Sequence, residues 1–155
     1  MRFRSLLLLP VLAVLVFSAS AQAVIVPQRS IAGVKLGMTE VQVRAGLGAP
    51  IRVRRGSNLF GPWRQLVYRR GAVSFQSGKK VTNLMTSSKL ERTLIGVGVG
   101  STLTKLRTSL KGETCKKEFG VHHCWIGSWE PGRIVSDFRL VHDRVSVVTV
   151  GYVFD

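Results

Sequence analysis

The chain contains an internal repeat with an offset of 63 residues, and this repeat limits the folds that it can adopt. The segment SIAGVKLGMTEVQVRAGL, from Ser30, is echoed by TLIGVGVGSTLTKLRTSL, from Thr93. A small unit copied once predicts two units that pack together, because neither alone buries much apolar surface. We therefore expect repeat 1 over residues 24–92 and repeat 2 over residues 93–155. The identities at this offset are Gly33 with Gly96, Val34 with Val97, Gly37 with Gly100, Thr39 with Thr102, Arg44 with Arg107, Leu47 with Leu110, and Phe75 with Phe138.

Residues 1–23 have the pattern of a secretory signal peptide. Arg2 and Arg4 form a basic start, residues 6–17 form an apolar stretch, and the small-residue motif AQA ends at Ala23. A spanning helix needs roughly 20 apolar residues, so an uncleaved anchor is the lesser alternative. We expect a secreted or periplasmic product with no membrane span once the signal is removed.

Positive charge is concentrated in repeat 1. The chain has a formal net charge of +15, and removal of the signal lowers it to +13. Repeat 1 holds thirteen lysines or arginines against Glu40 and Glu91, whereas repeat 2 holds eight against six acidic residues. Such a surface attracts anions over about a Debye length, roughly 8 Å at physiological salt. It predicts an anionic partner without specifying which one.

The two cysteines predict a disulfide bond. Cys115 and Cys124 lie nine positions apart, and thiols tend to oxidise in exported chains. The alternative is a metal site that adds His122 or His123, but no second ligand pair has zinc-site spacing. We expect neither a metal nor another cofactor.

Each repeat has the pattern of a helix followed by short antiparallel strands. Thr39 and Gln42 have capping-box spacing, and Thr102 or Ser101 can cap the second helix. We expect Phe75 and Phe138 on the side of the sheet that meets the helices, with Ser74, Gln76, Asp137 and Arg139 on the open side. The predicted class is α+β. The predicted strands are LVY, AVSFQ, VTNLMTS, TCKKEF, HCWIG, RIVSDFRLV and RVSVVTVGYVF.

The phrase GVKLGMTEVQVRAGLGAP resembles the helix signature shared by the beta-lactamase inhibitor protein family and the small outer-membrane assembly lipoproteins. The matching residues are Gly37, Met38, Thr39, Gln42 and Val43. The resemblance implies two tandem copies of a helix packed on an antiparallel sheet, forming one extended curved sheet that binds proteins. A cysteine after the second helix, paired with one on a following strand, is also similar to the inhibitor. The inhibitor acts through an acidic hairpin loop, whereas the loop at residues 77–80 is basic, so no inhibitory residue is transferred.

Catalytic groups are scarce. An enzyme needs a nucleophile with a base, or paired carboxylates, and repeat 1 contains no aspartate. The His142-Asp143 pair and the histidines beside Cys124 are expected to be exposed and structural. We therefore predict that the chain is not an enzyme.

The strongest functional candidate is a set of basic residues with two aromatic neighbours. Arginine forks suit phosphate and carboxylate groups, and aromatic rings can stack on sugars or bases. The alternative is a solvated basic face that only maintains solubility. The set comprises Arg52, Arg54, Arg55, Trp63, Arg64, Tyr68, Arg69, Arg70, Lys79 and Lys80.

The sequence therefore favours a secreted or periplasmic, non-enzymatic binding module for an acidic protein or an anionic envelope polymer. An inhibitor of an extracellular hydrolase is the alternative, and it rests on the resemblance. A nucleic-acid binder would also use this charge, but the signal peptide places the chain away from cellular DNA.

Overall fold

The computed structural model describes residues 24–154. The predicted signal peptide and its cleavage site lie outside these residues. Within them, neither helix has the length and hydrophobicity that crossing a bilayer would require.

The described chain begins with a small antiparallel sheet and a helix. Strands β1 (Ile25–Val26), β2 (Ser30–Ile31) and β3 (Val34–Lys35) pair in that order. Helix α1 (Glu40–Leu47) follows, and a second helix, α2 (Leu103–Ser109), lies in the other half of the chain.

Eight strands form the main sheet, in the order β4-β5-β6-β7-β11-β10-β9-β8, with every neighbouring pair antiparallel. Strands β7 and β11 join the two halves, with Leu84 opposite Val150. The strands are β4 (Arg52–Asn58), β5 (Gly61–Tyr68), β6 (Gly71–Gln76), β7 (Asn83–Thr86), β8 (Thr114–Glu118), β9 (Val121–Gly127), β10 (Ile134–Val141) and β11 (Arg144–Tyr152).

The hydrophobic core lies on one side of this sheet. Phe75 and Phe138 are buried there, as expected from the alternation of side chains along a strand. The small sheet contributes Ile25 and Ile31 to the same cluster, while each helix contributes one fully buried side chain, Val43 or Leu106. We call this the core side, and the opposite side the open face.

The capping residues predicted from the sequence are confirmed. The Thr39 hydroxyl accepts a hydrogen bond from the backbone N–H of Gln42, and the Gln42 side chain accepts one from the backbone N–H of Thr39. Thr102 caps α2 by accepting from the backbone N–H of Lys105. These caps determine where two short helices begin, although they do not make the helices a dominant layer.

The predicted α+β class, with two tandem helix-on-sheet units, is wrong. The described part of the chain is mostly β: residues 24–154 form eleven strands and two helices, of eight and seven residues. At 1.5 Å per residue α1 is about 12 Å long, whereas eight strands spaced about 4.8 Å apart span roughly 34 Å. Such helices cannot cover a sheet of that width, so strand pairing and the small sheet organise the core.

Strand β4 was not predicted. Its sequence, RVRRGSN, offers one apolar residue, and all of its side chains except Val53 are exposed. A strand at the edge of a sheet with little burial has no hydrophobic alternation to reveal it. The turns at Arg69-Arg70 and at His142-Asp143, by contrast, lie between strands that the sequence predicted.

The predicted disulfide is confirmed. Cys115 on β8 lies directly opposite Cys124 on β9, and the two sulfurs are bonded. While their sulfurs are bonded to each other, these cysteines cannot bind a metal ion. Among residues 24–154 no group of three or more histidine, cysteine, aspartate or glutamate side chains is placed to hold a metal ion.

Candidate binding surface

The arginine run of β4 is divided between the two sides of the sheet. Arg54 lies opposite Gln65 and Arg55 lies opposite Arg64 on β5. Because side chains alternate along a strand, Arg52 and Arg54 point to the open face and Arg55 points to the core side. All three are exposed on the edge strand, where charges also discourage pairing with other chains.

Trp63 lies flat across β4 on the open face. It is directly opposite Gly56, and a Cβ atom at Gly56 would lie 2.6 Å from the indole ring. Only glycine leaves room for the ring at this place. The indole is therefore held beside Arg54 and partly exposed, as an aromatic wall next to a cation.

Polar amide groups continue this surface away from the edge. The Gln76 amide donates to Asn58 Oδ1 at 3.0 Å and to the carbonyl of Gly61 at 3.2 Å, while the Gln65 amide donates to Ser74 Oγ at 3.1 Å. These bonds orient the amides without using all of their donors and acceptors. We define the open-face groove by the residues that line it, which include Arg54, Asn58, Trp63, Gln65, Ser74, Gln76, Asn83, Tyr152 and Phe154.

Two of the predicted site residues have structural partners on the core side. Arg64 Nη2 lies 2.8 Å from Glu40 of α1, and its guanidinium lies 5.3 Å from the ring centre of Phe75. The Tyr68 hydroxyl donates to the carbonyl of Gly48 at 3.3 Å. Burial raises the pKa of Tyr68 above its ordinary value, with the Arg44 charge opposing that rise. Both side chains attach α1 to the sheet.

The remaining basic residues lie at opposite ends of the strands. Arg69 and Arg70 form the β5–β6 turn, at the end where β4 begins. Lys79 and Lys80 follow β6 at the other end, where Lys79 lines a second groove with Arg55. Strand alternation and turn positions thus divide the ten predicted residues. Some of them share the open face, and the others form several separate groups.

Arg52 and Arg54, the open-face cations of β4, have no acidic partner within residues 24–154. Glu40 is engaged by Arg44 and Arg64, and neither Arg52 nor Arg54 forms an ion pair within residues 24–154. Their charge is therefore available to an external anion.

The second half of the open face carries a group that the sequence reasoning missed. His123 and Trp125 lie two residues apart on β9, so their side chains share the open face. The ring of Trp129, from the following segment, approaches both. His123 Nδ1 lies 2.9 Å from Asp137 Oδ1. The spacing H-x-W in a predicted strand places the first two on one face, and this was the available signal.

The other histidine of this hairpin belongs to the opposite side. His122 Nδ1 lies 3.4 Å from Asp143 in the β10–β11 turn. The adjacent histidines therefore do not act together, because consecutive residues of a strand point to opposite faces.

Comparison with known proteins gives a distant structural likeness. No protein-family model and no curated protein matches the chain. A solved structure of an extracellular protein containing a SCP domain from Bacillus anthracis str. Ames is similar with a TM-score of 0.49 and 13% sequence identity, covering 76% of this chain and 44% of that one. The chain thus spans less than half the length of that protein.

Proposed function

We propose that this chain is an exported, non-enzymatic binding module whose open face holds an anionic polymer of the cell envelope. The observation that carries the proposal is the open-face groove, where Arg54, Trp63 and several amide side chains share one surface. The disulfide supports export, since such bonds persist in oxidising compartments.

Charge supports an anionic ligand. Arg52 and Arg54 project from the same face with no acidic partner among the described residues. A guanidinium presents a fork of donors that matches carboxylate or phosphate oxygens. Binding through such exposed contacts is expected to weaken as salt rises, because screening shortens the reach of the charge.

The neutral part of the groove favours a polymer with hydroxyl groups over an acidic polypeptide. Amide side chains both donate and accept hydrogen bonds, and Asn58, Gln65 and Gln76 line the groove together with Arg54. The flat indole of Trp63 adds an apolar surface beside them. A polymer of acidic sugars offers carboxylates, hydroxyls and ring faces, and so suits all three kinds of group.

The test measures binding to two polyanions of different chemistry. The oxidised protein is titrated with polygalacturonate, a polymer of a sugar acid, and with poly-L-glutamate, at low and at high salt. We expect salt-sensitive binding with preference for polygalacturonate. The double substitution Arg52→Gln and Arg54→Gln should weaken it about tenfold, which corresponds to ~1.4 kcal/mol.

The matched control removes the same charge elsewhere. Arg107 and Lys111 are exposed in and just after α2, so the double variant Arg107→Gln and Lys111→Gln should keep wild-type affinity. Equal losses of affinity in both double variants would show that binding depends on the net charge of the protein and not on the open face. Preference for poly-L-glutamate would instead assign the face to an acidic protein, and absence of binding to either polymer would refute the proposal.

A further inference from the structure

We propose that the His123–Trp125–Trp129 cluster on the open face is a saccharide-binding subsite. This inference rests in part on the proposed function, because it identifies the anionic polymer as a glycan that contacts both halves of the sheet.

The cluster presents aromatic surface next to solvent. The ring centres of His123 and Trp125 are 4.9 Å apart, and the Trp129 ring centre lies 6.1 Å from His123 and 6.0 Å from Trp125. Trp125 is almost buried, whereas Trp129 remains 45% exposed. The inner rings thus support an outer indole that has one side available for stacking.

Polar groups lie beside these rings in an arrangement suited to hydroxyls. Asp137 holds His123 through its Nδ1 atom, which determines the orientation of the imidazole. The Nε2 atom of that ring has no partner among residues 24–154 and is not enclosed. A groove with mostly apolar walls and a few oriented polar atoms is the usual form of a small-molecule site.

The charges around the cluster decide between the two ligand classes that an aromatic site admits. Aromatic cages also bind quaternary ammonium groups. Here, however, Lys116 Nζ already lies 6.0 Å from the ring centre of Trp125, and Arg139 lies opposite His123 on β10. Two carboxylates balance these cations: Glu118 lies 3.3 Å from Lys116 Nζ, and Asp137 lies opposite Trp125. Because Lys116 already approaches the Trp125 ring, a sugar ring and not a second cation is the compatible occupant.

The position of the cluster relates it to the open-face groove. Trp63 is on β5 and Trp125 is on β9, five strand spacings apart in the sheet. At about 4.8 Å per spacing the two aromatic surfaces are roughly 24 Å apart. A monosaccharide cannot occupy both surfaces, whereas a polymer can. A polymer bound at both surfaces at once binds more tightly than it would at either one alone.

The test compares three probes on the intact oxidised protein: polygalacturonate, poly-L-glutamate and the neutral sugar oligomer chitohexaose. The substitution Trp129→Ala should lower affinity for polygalacturonate and for chitohexaose about tenfold, and Trp129→Phe should restore most of it. Affinity for poly-L-glutamate should stay within about twofold, since no sugar ring is present. The control Leu94→Ala removes another exposed apolar side chain and should change none of the three.

The outcomes separate this inference from the proposed function. Binding of chitohexaose that depends on Trp129, without preference for either polyanion, would support the saccharide subsite and refute the anionic polymer. Loss of polygalacturonate binding in the β4 arginine variant alone would support the polymer and overturn the subsite. Choline serves as a fourth probe, for the cationic ligand class. Quenching of tryptophan fluorescence by choline but not by either saccharide would also overturn the subsite, as would absence of binding to both saccharides.

Discussion

At the scale of single residues, Gly56 controls the position of Trp63. A methyl group at residue 56 would lie 2.6 Å from the indole, so Gly56→Ala should displace the ring from β4. The ring is partly exposed and can rotate, so the expected loss of stability is about 1 kcal/mol or less. The Trp63 indole N–H resonance should shift, and polygalacturonate affinity should fall as it does in Trp63→Ala.

Gly46 provides the matched control for this substitution. It lies within α1, and apart from its own helical turn no atom lies within 4 Å of the position that a Cβ would take. Gly46→Ala should stabilise the protein by about 0.5–1 kcal/mol, because alanine favours the helix more than glycine. Its binding should match wild type. An unshifted Trp63 resonance and unchanged binding in Gly56→Ala would show that the indole does not depend on this glycine.

Asp137 should make stability depend on pH. Burial raises the pKa of its carboxyl above the ordinary value of 3.8, while the neighbouring charges of His123 and Arg139 oppose the rise. Between 3.8 and the raised value the folded state binds more protons than the unfolded state, so the free energy of unfolding falls as pH increases. Relative to wild type, Asp137→Asn should therefore gain stability as pH rises above about 3.8.

Denaturant unfolding at a series of pH values measures this effect. Asp143 serves as control, because its side chain is 76% exposed in a turn and its φ of 56° is one that asparagine tolerates. Asp143→Asn should follow the pH course of wild type. If the stability difference between Asp137→Asn and wild type stayed constant with pH, the burial of that carboxyl would have no energetic consequence.

At the scale of elements, the β8–β9 hairpin depends on its disulfide. Strand β8 is an edge strand and its side chains, apart from Cys115, are exposed, so it has little apolar surface to hold it. In the chain-entropy model a ring of about ten residues contributes on the order of 2 to 3 kcal/mol. Reduction should lower the free energy of unfolding by that amount and speed hydrogen exchange in β8 before β6.

The double variant Cys115→Ala and Cys124→Ala tests the same bond without reductant. It should match the reduced protein and be insensitive to thiols. Equal stability of the oxidised and reduced proteins would contradict this role. Because β4 lies at the opposite edge and has no disulfide, exchange in β4 should respond less to reduction than exchange in β8.

The interior strand β10 and the edge strand β4 show why sequence patterns found some elements and missed others. Strand β10 alternates Ile134, Ser136 and Phe138 on the core side and was predicted with its faces correct. Strand β4 has no such alternation, since both of its faces meet solvent at the edge.

At the scale of the whole molecule, one antiparallel sheet separates the core from the candidate binding surfaces. The helices, the small sheet and the large apolar side chains lie on the core side. Both the open-face groove and the His123–Trp125–Trp129 cluster lie on the other side, drawn from different halves of the chain. This arrangement allows one extended ligand to contact both, although the two sites are far apart in sequence.

The sequence alone determined the local features of this protein: the two capped helix starts, the hairpin turns, the burial of Phe75 and Phe138, and the pairing of the cysteines. Each depends on residues close in sequence or on a period of two. Only the tertiary structure decided that strands dominate, that the predicted arginines divide between two faces, and that His123 meets Asp137 and Trp129. Those features depend on strand order and register, which arise from contacts between distant segments and have no local sequence signature.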